Sequence, residues 1–330
     1  MISFLAGAVL LGAAAPVSAL EIKSGNDKVA VQLKGHISRG VMFADDGNAS
    51  KTFHVDNGNS ESRLTLKGKV KASEQLAVGG TFEVQWQANP SDQVSMEEES
   101  IAGEFKERIM EVWLAPKDMG KFSLGRGDMA SDDTSEVDVS GTVLSGNSGV
   151  ADVGGGIVFY NPTAAADAQG LSVKNAFSNM DGLSRRNRVR YDTPDFAGFG
   201  LSAAAGEKEM VDAALRYSGT FNGAKLKAAV AWAIPGGSKD YSQINGSASL
   251  LLPLGLNFTV AGGSRDVDEM SAGGDDPFFS YGKIGWKFDQ LLSVGSTAVS
   301  VDYGVYENIK HQDKGEQGTA YGLQLVQKLA

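Results

Sequence analysis

Along most of the chain, apolar and polar residues take turns. In Leu76-Val78-Gly80-Phe82-Val84-Trp86 every second position is apolar or glycine, and Ala77, Gly79, Thr81, Glu83, Gln85 and Gln87 fill the places between. Side chains on a strand point to opposite faces in turn, so this segment predicts a strand with one oily and one polar face. The same split runs through Leu64-Leu66-Gly68-Val70 against Arg63, Thr65, Lys67 and Lys69. It returns in Leu226-Ala228-Val230-Trp232-Ile234 against Lys225, Lys227 and three alanines, and in Val299-Val301-Tyr303-Val305 against Ser300 and Asp302. About fourteen such strands are predicted, near 29–43, 62–72, 75–88, 107–115, 120–127, 186–193, 197–206, 210–221, 224–234, 241–252, 254–264, 278–288, 294–307 and 318–328. Most are close to the ~9–11 residues that a tilted strand needs to cross a bilayer, and longer than the ~5–6 usual in soluble sheets. Short turns, such as 72–75, 116–120 and Asn222-Gly223, alternate with longer Gly- and Asp-rich connections. A membrane barrel has this layout, with short turns at one end and long loops at the other.

A soluble β-sandwich would alternate as well. Two features favour an all-β fold of the transmembrane, antiparallel, up-and-down β-barrel type. The polar face is often charged along its length, which a packed sandwich interior tolerates only at a large desolvation cost. Trp86, Trp113, Trp232, Trp286 and Tyr321 stand toward strand ends, where aromatic girdles meet the membrane interfaces. Beyond residue 20 no stretch is long and apolar enough for a transmembrane helix, since 248–263 is broken by Pro253 and interrupted by Asn257 and Thr259. In lipid only helices and closed barrels satisfy the backbone. The beginning of the chain reads differently. Residues 2–16 are almost wholly apolar or small, and Val17-Ser18-Ala19 has the small residues of a cleavage site, although no Lys or Arg precedes the apolar run. Residues 1–19 are therefore predicted to be a secretory signal peptide and 20–330 the barrel.

Composition narrows the chemistry. Among 330 residues there is no cysteine, and the formal net charge is −10. An acidic chain is a poor partner for nucleic acid, whose phosphates need a basic surface. Without cysteine there is no disulfide framework and no thiolate zinc or redox site. His36, His54 and His311 have no ligand spacing, so neither a metal nor a cofactor is expected. An embedded hydrolase would need a Ser-His pair. Nothing in the sequence sets a serine beside His36, and an enzyme is not predicted. Arg126-Gly127-Asp128 is an adhesion tripeptide in form, but a strand end meeting a loop explains it better. Gly154-Gly155-Gly156 lacks the Lys-Ser/Thr of a phosphate loop. Asp45-Asp46 and Asp275-Asp276 are weak calcium candidates, more readily explained as solvated loop acids.

Two stretches resemble the general, trimeric porins of proteobacteria. Gly120-Lys121-Phe122-Ser123-Leu124-Gly125-Arg126, followed by Gly127-Asp128 and a long loop, looks like the strand leading into that family's third external loop. Asn187-Arg188-Val189-Arg190-Tyr191-Asp192-Thr193-Pro194-Asp195-Phe196-Ala197-Gly198-Phe199 is similar to the family's N-S-V-R-Y-D-S-P-x-F-x-G-F hairpin, with Arg188 in place of the usual Ser. The resemblance implies sixteen strands in the outer membrane, a homotrimer, and a loop (residues 128–185) that folds inward and narrows the channel. Family members end on a strand finishing in an aromatic residue, whereas this chain ends Gln327-Lys328-Leu329-Ala330. A sequence lacking its last one or two strands is the expectation, and closure with fourteen strands is the alternative.

A barrel of this width encloses water, and charges facing that water set its selectivity. Arg63 and Lys67, with Lys69, form a basic ladder on one strand, and Arg186, Arg188 and Arg190 form a second if Val189 and Tyr191 face lipid. Asp128, Asp132, Asp133, Glu136 and Asp138 supply the acidic side from the long loop. Opposed acidic and basic walls would set a transverse field across the constriction. The patch from Gly154 to Tyr160 is expected to pack on the wall or to add a short strand. The predicted function is passive diffusion of small hydrophilic solutes and ions. A substrate-specific channel, or a surface barrel serving as adhesin or receptor, is the alternative.

Overall fold

A computed structural model describes residues 7–23, 28–161, 170–237, 241–268, 274–309 and 317–329. Sixteen strands make one sheet: β1 (Gly7–Lys23), β2 (Val29–Asp45), β3 (Ser50–Asp56), β4 (Arg63–Ser73), β5 (Leu76–Gln87), β6 (Glu104–Pro116), β7 (Lys121–Asp128), β8 (Arg185–Asp192), β9 (Phe199–Gly206), β10 (Val211–Phe221), β11 (Ala224–Ile234), β12 (Tyr241–Leu251), β13 (Leu256–Val267), β14 (Phe278–Phe288), β15 (Thr297–Glu307) and β16 (Gln317–Gln327). Each pairs antiparallel with its sequence neighbour, apart from β3, which pairs with β2 beside β4. The return strand from β2 is thus broken in two. β3 covers the half of β2 from Arg39 to Asp45, and β4 covers the half from Val29 to His36.

The fourteen predicted segments are β2 and β4 to β16. The other two strands lacked a lipid-facing alternation to announce them. In β3, Phe53 and Val55 are buried against Met42, Ala44, Val94 and Ile157, so its apolar side meets protein. Most of β1 lies within residues 1–19, expected as a leader, and its last four residues lie beyond them; it pairs along β2 from Gly7↔Asp45 to Lys23↔Ala30. Residues 1–6 fall outside the described residues.

The two faces of the sheet differ as the alternation dictates. Leu64, Leu66, Phe82, Trp86, Trp232, Trp286, Val301 and Leu323 are exposed on the outer face. Thr65, Glu83, Gln85, Asn245, Ser249 and Asp302 are buried on the inner one. Trp113 corrects the expected girdle. It stands opposite Gly79 on the inner face, and a Cβ on Gly79 would collide with its indole ring. The missing side chain makes room for a tryptophan that looks inward. The turn between β10 and β11 is the two-residue kind that a twisted hairpin needs: Asn222 and Gly223 both have positive φ, 47° and 83°, matching a type I′ turn.

The sheet rolls up around its inner face. Thr142 Oγ1 lies 2.7 Å from Ser300 Oγ on β15. Three residues further on, Ser145 O accepts from Asn59 Nδ2 at 3.2 Å, and Leu144 O accepts from Asn57 Nδ2 at 2.9 Å. Three residues span at most about 10 Å, so the margins near β3 and β15 approach one another across this segment. The terminal strands β1 and β16 are not paired among the described residues.

Candidate functional site

The described parts of the connection from β7 to β8, residues 129–161 and 170–184, lie against the inner face instead of projecting outward. Its root is held by polar residues on two strands, β8 and β10. Asp212 on β10 accepts from Ala130 N at 3.1 Å and from Ser131 N and Oγ at 2.8 and 2.5 Å. Arg190 Nη1 on β8 donates to Asp128 O and Met129 O at 3.1 and 2.8 Å. Arg216 Nη2 donates to Ala130 O and Asp132 O at 2.8 and 2.7 Å. Beyond the root the loop runs extended along β12. Val137 N and Val139 N donate to Ser247 Oγ and Ser249 Oγ, both at 2.9 Å, so a spacing of two on the loop matches a spacing of two on the wall. Lys283 Nζ on β14 and Asp138 Oδ2 form a 2.8 Å ion pair with side chains 0% and 2% exposed. Apolar contacts finish the attachment. Phe177 and Met180 pack on Phe279, Tyr281 and Tyr306, and Ile157 packs on Met42, Phe53 and Val55. The Gly154 to Tyr160 patch therefore packs on the wall, with one bridge between Val158 and Ser172 as its only ladder contact among the described residues.

Loop and wall enclose a space of about 990 Å³. Asp132, Asp133, Glu136, Asp152 and Asp181 line it from the loop, and Arg63, Arg108, Arg185 and Glu61 from the wall and strand ends. The basic side is a connected set. Arg63 Nη2 and Arg108 Nη1 share Glu61 Oε2 at 3.0 and 3.1 Å, and Arg108 Nε holds Glu83 at 2.8 Å. Arg185 joins the two sides, 3.0 Å from Asp128 and 3.6 Å from Asp132. On the acidic side, carboxylate oxygens of Asp132, Asp133 and Asp181 lie within 4.8 Å of one another. Burial, and then repulsion from neighbouring carboxylates, raises the pKa of four of the loop acids. Asp132 and Asp181 are held well above the usual range, and Glu136 and Asp152 are pushed up to about 8. At neutral pH Glu136 and Asp152 therefore largely keep their protons, and the wall carries less charge than its formula.

The sequence-predicted residues divide into three groups. Arg63, Asp132, Asp133 and Glu136 meet at the space just described. Lys67 is exposed on the inner face of β4, further toward the short turn. Arg188, Arg190, Asp128 and Asp138 serve mainly to fasten the loop. Arg188 is 5% exposed and bound to Glu111 at 2.5 Å and to Asp128 O at 3.1 Å. Arg190 is paired with Asp192 at 2.7 Å. Arg186 donates to the carbonyl of Arg185 at 2.8 Å. Sequence reading missed Glu61, Arg108, Arg185, Asp152 and Asp181. Arg108 is hidden by a bulge: Glu83 pairs with Ile109 while Val84 pairs with Glu107, so the extra residue turns inward out of phase. His36 Nε2 is 3.1 Å from Ser60 Oγ, a pairing the spacing did not foretell. No carboxylate hydrogen-bonds its other nitrogen among the described residues, so the orienting third member of a triad is lacking there.

A family model described as Gram-negative porin matches residues 6–330. Among solved structures the chain is similar to an anion-selective porin from Comamonas acidovorans, with 17% identity and TM-score 0.50 over 97% of this chain and 83% of that one. It is also similar to the outer-membrane expressed OmpT of Vibrio cholerae, with 15% identity and TM-score 0.57 over 94% and 85%. At these identities the likeness is one of fold.

Proposed function

We infer the function from one premise: the chain belongs to the Gram-negative porin family, and with it to the bacterial outer membrane. The channel we propose is a general one, in which hydrophilic solutes and ions pass down their gradients without catalysis. The observation that carries this reading is the half-blocked interior. Residues 129–161 and 170–184 cross the inner face yet leave a charged space of about 990 Å³ between acidic loop and basic wall. A general pore needs a passage that polar groups line without closing it. In the orientation usual for such barrels the short turns face the periplasm and the long loops the exterior.

The pore-lining roles are proposals of the same reading. Arg63, with Arg108 and Arg185, forms the basic side, and Asp132, Asp133, Glu136, Asp152 and Asp181 form the acidic side. Residues 1–19 are proposed to be removed on export, and the strand count supports this. The hydrogen-bonded path from β1 to β16 skips β3 and has fifteen members in alternating directions. β1 and β16 therefore run the same way, while β2 and β16 run oppositely. Loss of most of β1 would free the edge of β2 for an antiparallel partner, and β16 runs in the direction such a partner needs. A homotrimer is proposed from the family resemblance alone.

Reconstitution into planar bilayers and liposomes tests the channel. Discrete conductance steps, and swelling in small sugars, are expected. A barrel that inserts but gives neither would be a plugged surface protein, and the general-diffusion reading would fall.

A further inference from the structure

Below the constriction one stretch of inner wall is bare and basic. On β4, Lys67, Lys69 and Lys71 occupy successive inward positions between Arg63 and the short turn that follows Ser73. Positions two apart on a strand are separated by about 6.6 Å. Lys34 on β2 stands opposite Thr65, on the same face and at the head of the row. All four lysines are exposed, and none makes an ion pair among the described residues. The acids that line the constriction belong to the loop, at the other end of the strands. The nearby wall acids are taken up by other partners: Glu83 by Arg108 and Thr65, Glu111 by Arg188, and Glu21 by Lys23.

Beside this row lies Trp113. The register runs Lys69↔Gly79↔Trp113 across three adjacent strands. Because Gly79 has no side chain, the indole folds over it. The residue is half-buried, so part of the ring stays open to the lumen. Two kinds of recognition group thus stand side by side: a row of unpaired ammonium groups for oxygen anions and a flat aromatic plate for a ring face.

We propose that Lys34, Lys67, Lys69 and Lys71 with Trp113 form a solute-binding station, reached from the short-turn side, for ring compounds bearing a phosphate or carboxylate. The lysines take the anionic group and the indole takes the ring. The constriction above, narrowed by the loop, stands between the station and the long-loop side, so the station fills asymmetrically. This inference deepens the channel reading and rests on it.

The test is single-channel recording with two probes, inorganic phosphate and adenosine monophosphate, each added to one side at a time. The chain contains no cysteine, so a single Asn222→Cys, labelled with a membrane-impermeant thiol reagent, reports which face carries the short turns. Interruptions of the current by adenosine monophosphate are expected at about tenfold lower concentration from the short-turn side. Adenosine monophosphate should also act at about tenfold lower concentration than phosphate, the factor a stacked ring contributes. Trp113→Ala should remove the preference for the nucleotide while leaving phosphate unchanged. Lys67→Gln with Lys69→Gln should weaken both probes. Equal potency from the two sides, or potency indifferent to the lysine changes, would overturn the station while the open channel upheld the porin reading. A nucleotide preference that survives Trp113→Ala would remove the ring-binding half. Absence of any conductance would overturn both readings together.

Discussion

The inner faces of β4 and of β10 to β15 are built by the same alternation, yet one meets water and the other meets protein. On β4 the inward residues below Thr65 are Lys67, Lys69 and Lys71, all exposed. On β10 to β15 they include Ala214, Ala229, Ala231, Asn245, Ser247, Ser249, Thr259 and Ser300, all buried under the loop or its neighbours. Small residues and short hydroxyls let a backbone come close and supply acceptors at fixed points, whereas a row of ammonium groups cannot be covered without a large desolvation cost. Alternation therefore tells which residues face inward, and side-chain size and hydrogen-bonding capacity tell what they face.

Three experiments probe that contrast. The largest effect is expected at the one ion pair sealed under the loop. Asp138→Ala leaves the Lys283 ammonium buried without its counter-charge, a loss of about 3–5 kcal/mol, and should free the middle of the loop. Current recordings would show it as larger conductance with more open-channel noise, and Asp138→Leu with Lys283→Met should restore much of the quiet state. A noiseless Asp138→Ala channel of ordinary conductance would mean that the pair does not hold the loop.

A smaller effect comes from the buried loop acids. Glu136 and Asp152 keep their protons up to about 8, whereas on a released loop they would ionise near 4.5 and 3.8. The packed loop therefore binds more protons in that interval, so its attachment is strongest in acid and weakens as pH rises through about 8. The constriction becomes more negative over the same range. Reversal potentials should move toward cation preference between pH 6 and 9, and Glu136→Gln with Asp152→Asn should flatten the change. A wild-type potential independent of pH would show that these carboxyls do not face the conducting path. The smallest effect is expected on the bare wall: Lys69→Gln should leave thermal unfolding in detergent within about 0.5 kcal/mol of the parent. A larger shift would show that the row is covered after all.

The strands were legible because lipid and water impose opposite demands on neighbouring residues, as in Leu76 to Gln87. What escaped reading was set by contacts between distant segments. Phe53 and Val55 face other loops, so β3 had no lipid pattern. The bulge at Arg108 reverses the phase of β6 within one residue. Trp113 was read as a girdle residue because position near a strand end does not reveal which face a ring takes, and Gly79 across the ladder decides it. The inward course of the loop came from the family resemblance, since Asp152 and Asp181 acquire their place only when residues 129–184 are packed. Alternation puts Arg188 and Arg190 on one face, but their partners are invisible in the sequence: Glu111 lies 77 residues away from Arg188.

The short segment from Thr142 to Ser145 binds β15 on one side and the turn after β3 on the other, through partners 158 and 87 residues distant in the chain. Such distant contacts are entropically slow to form, and each one made brings the two stretches of wall nearer to the next. The loop therefore helps to order the curling sheet. It acts as a former around which the wall is wrapped, so damage at Thr142 or Asn57 should first be felt as failed insertion and only afterwards as altered permeation.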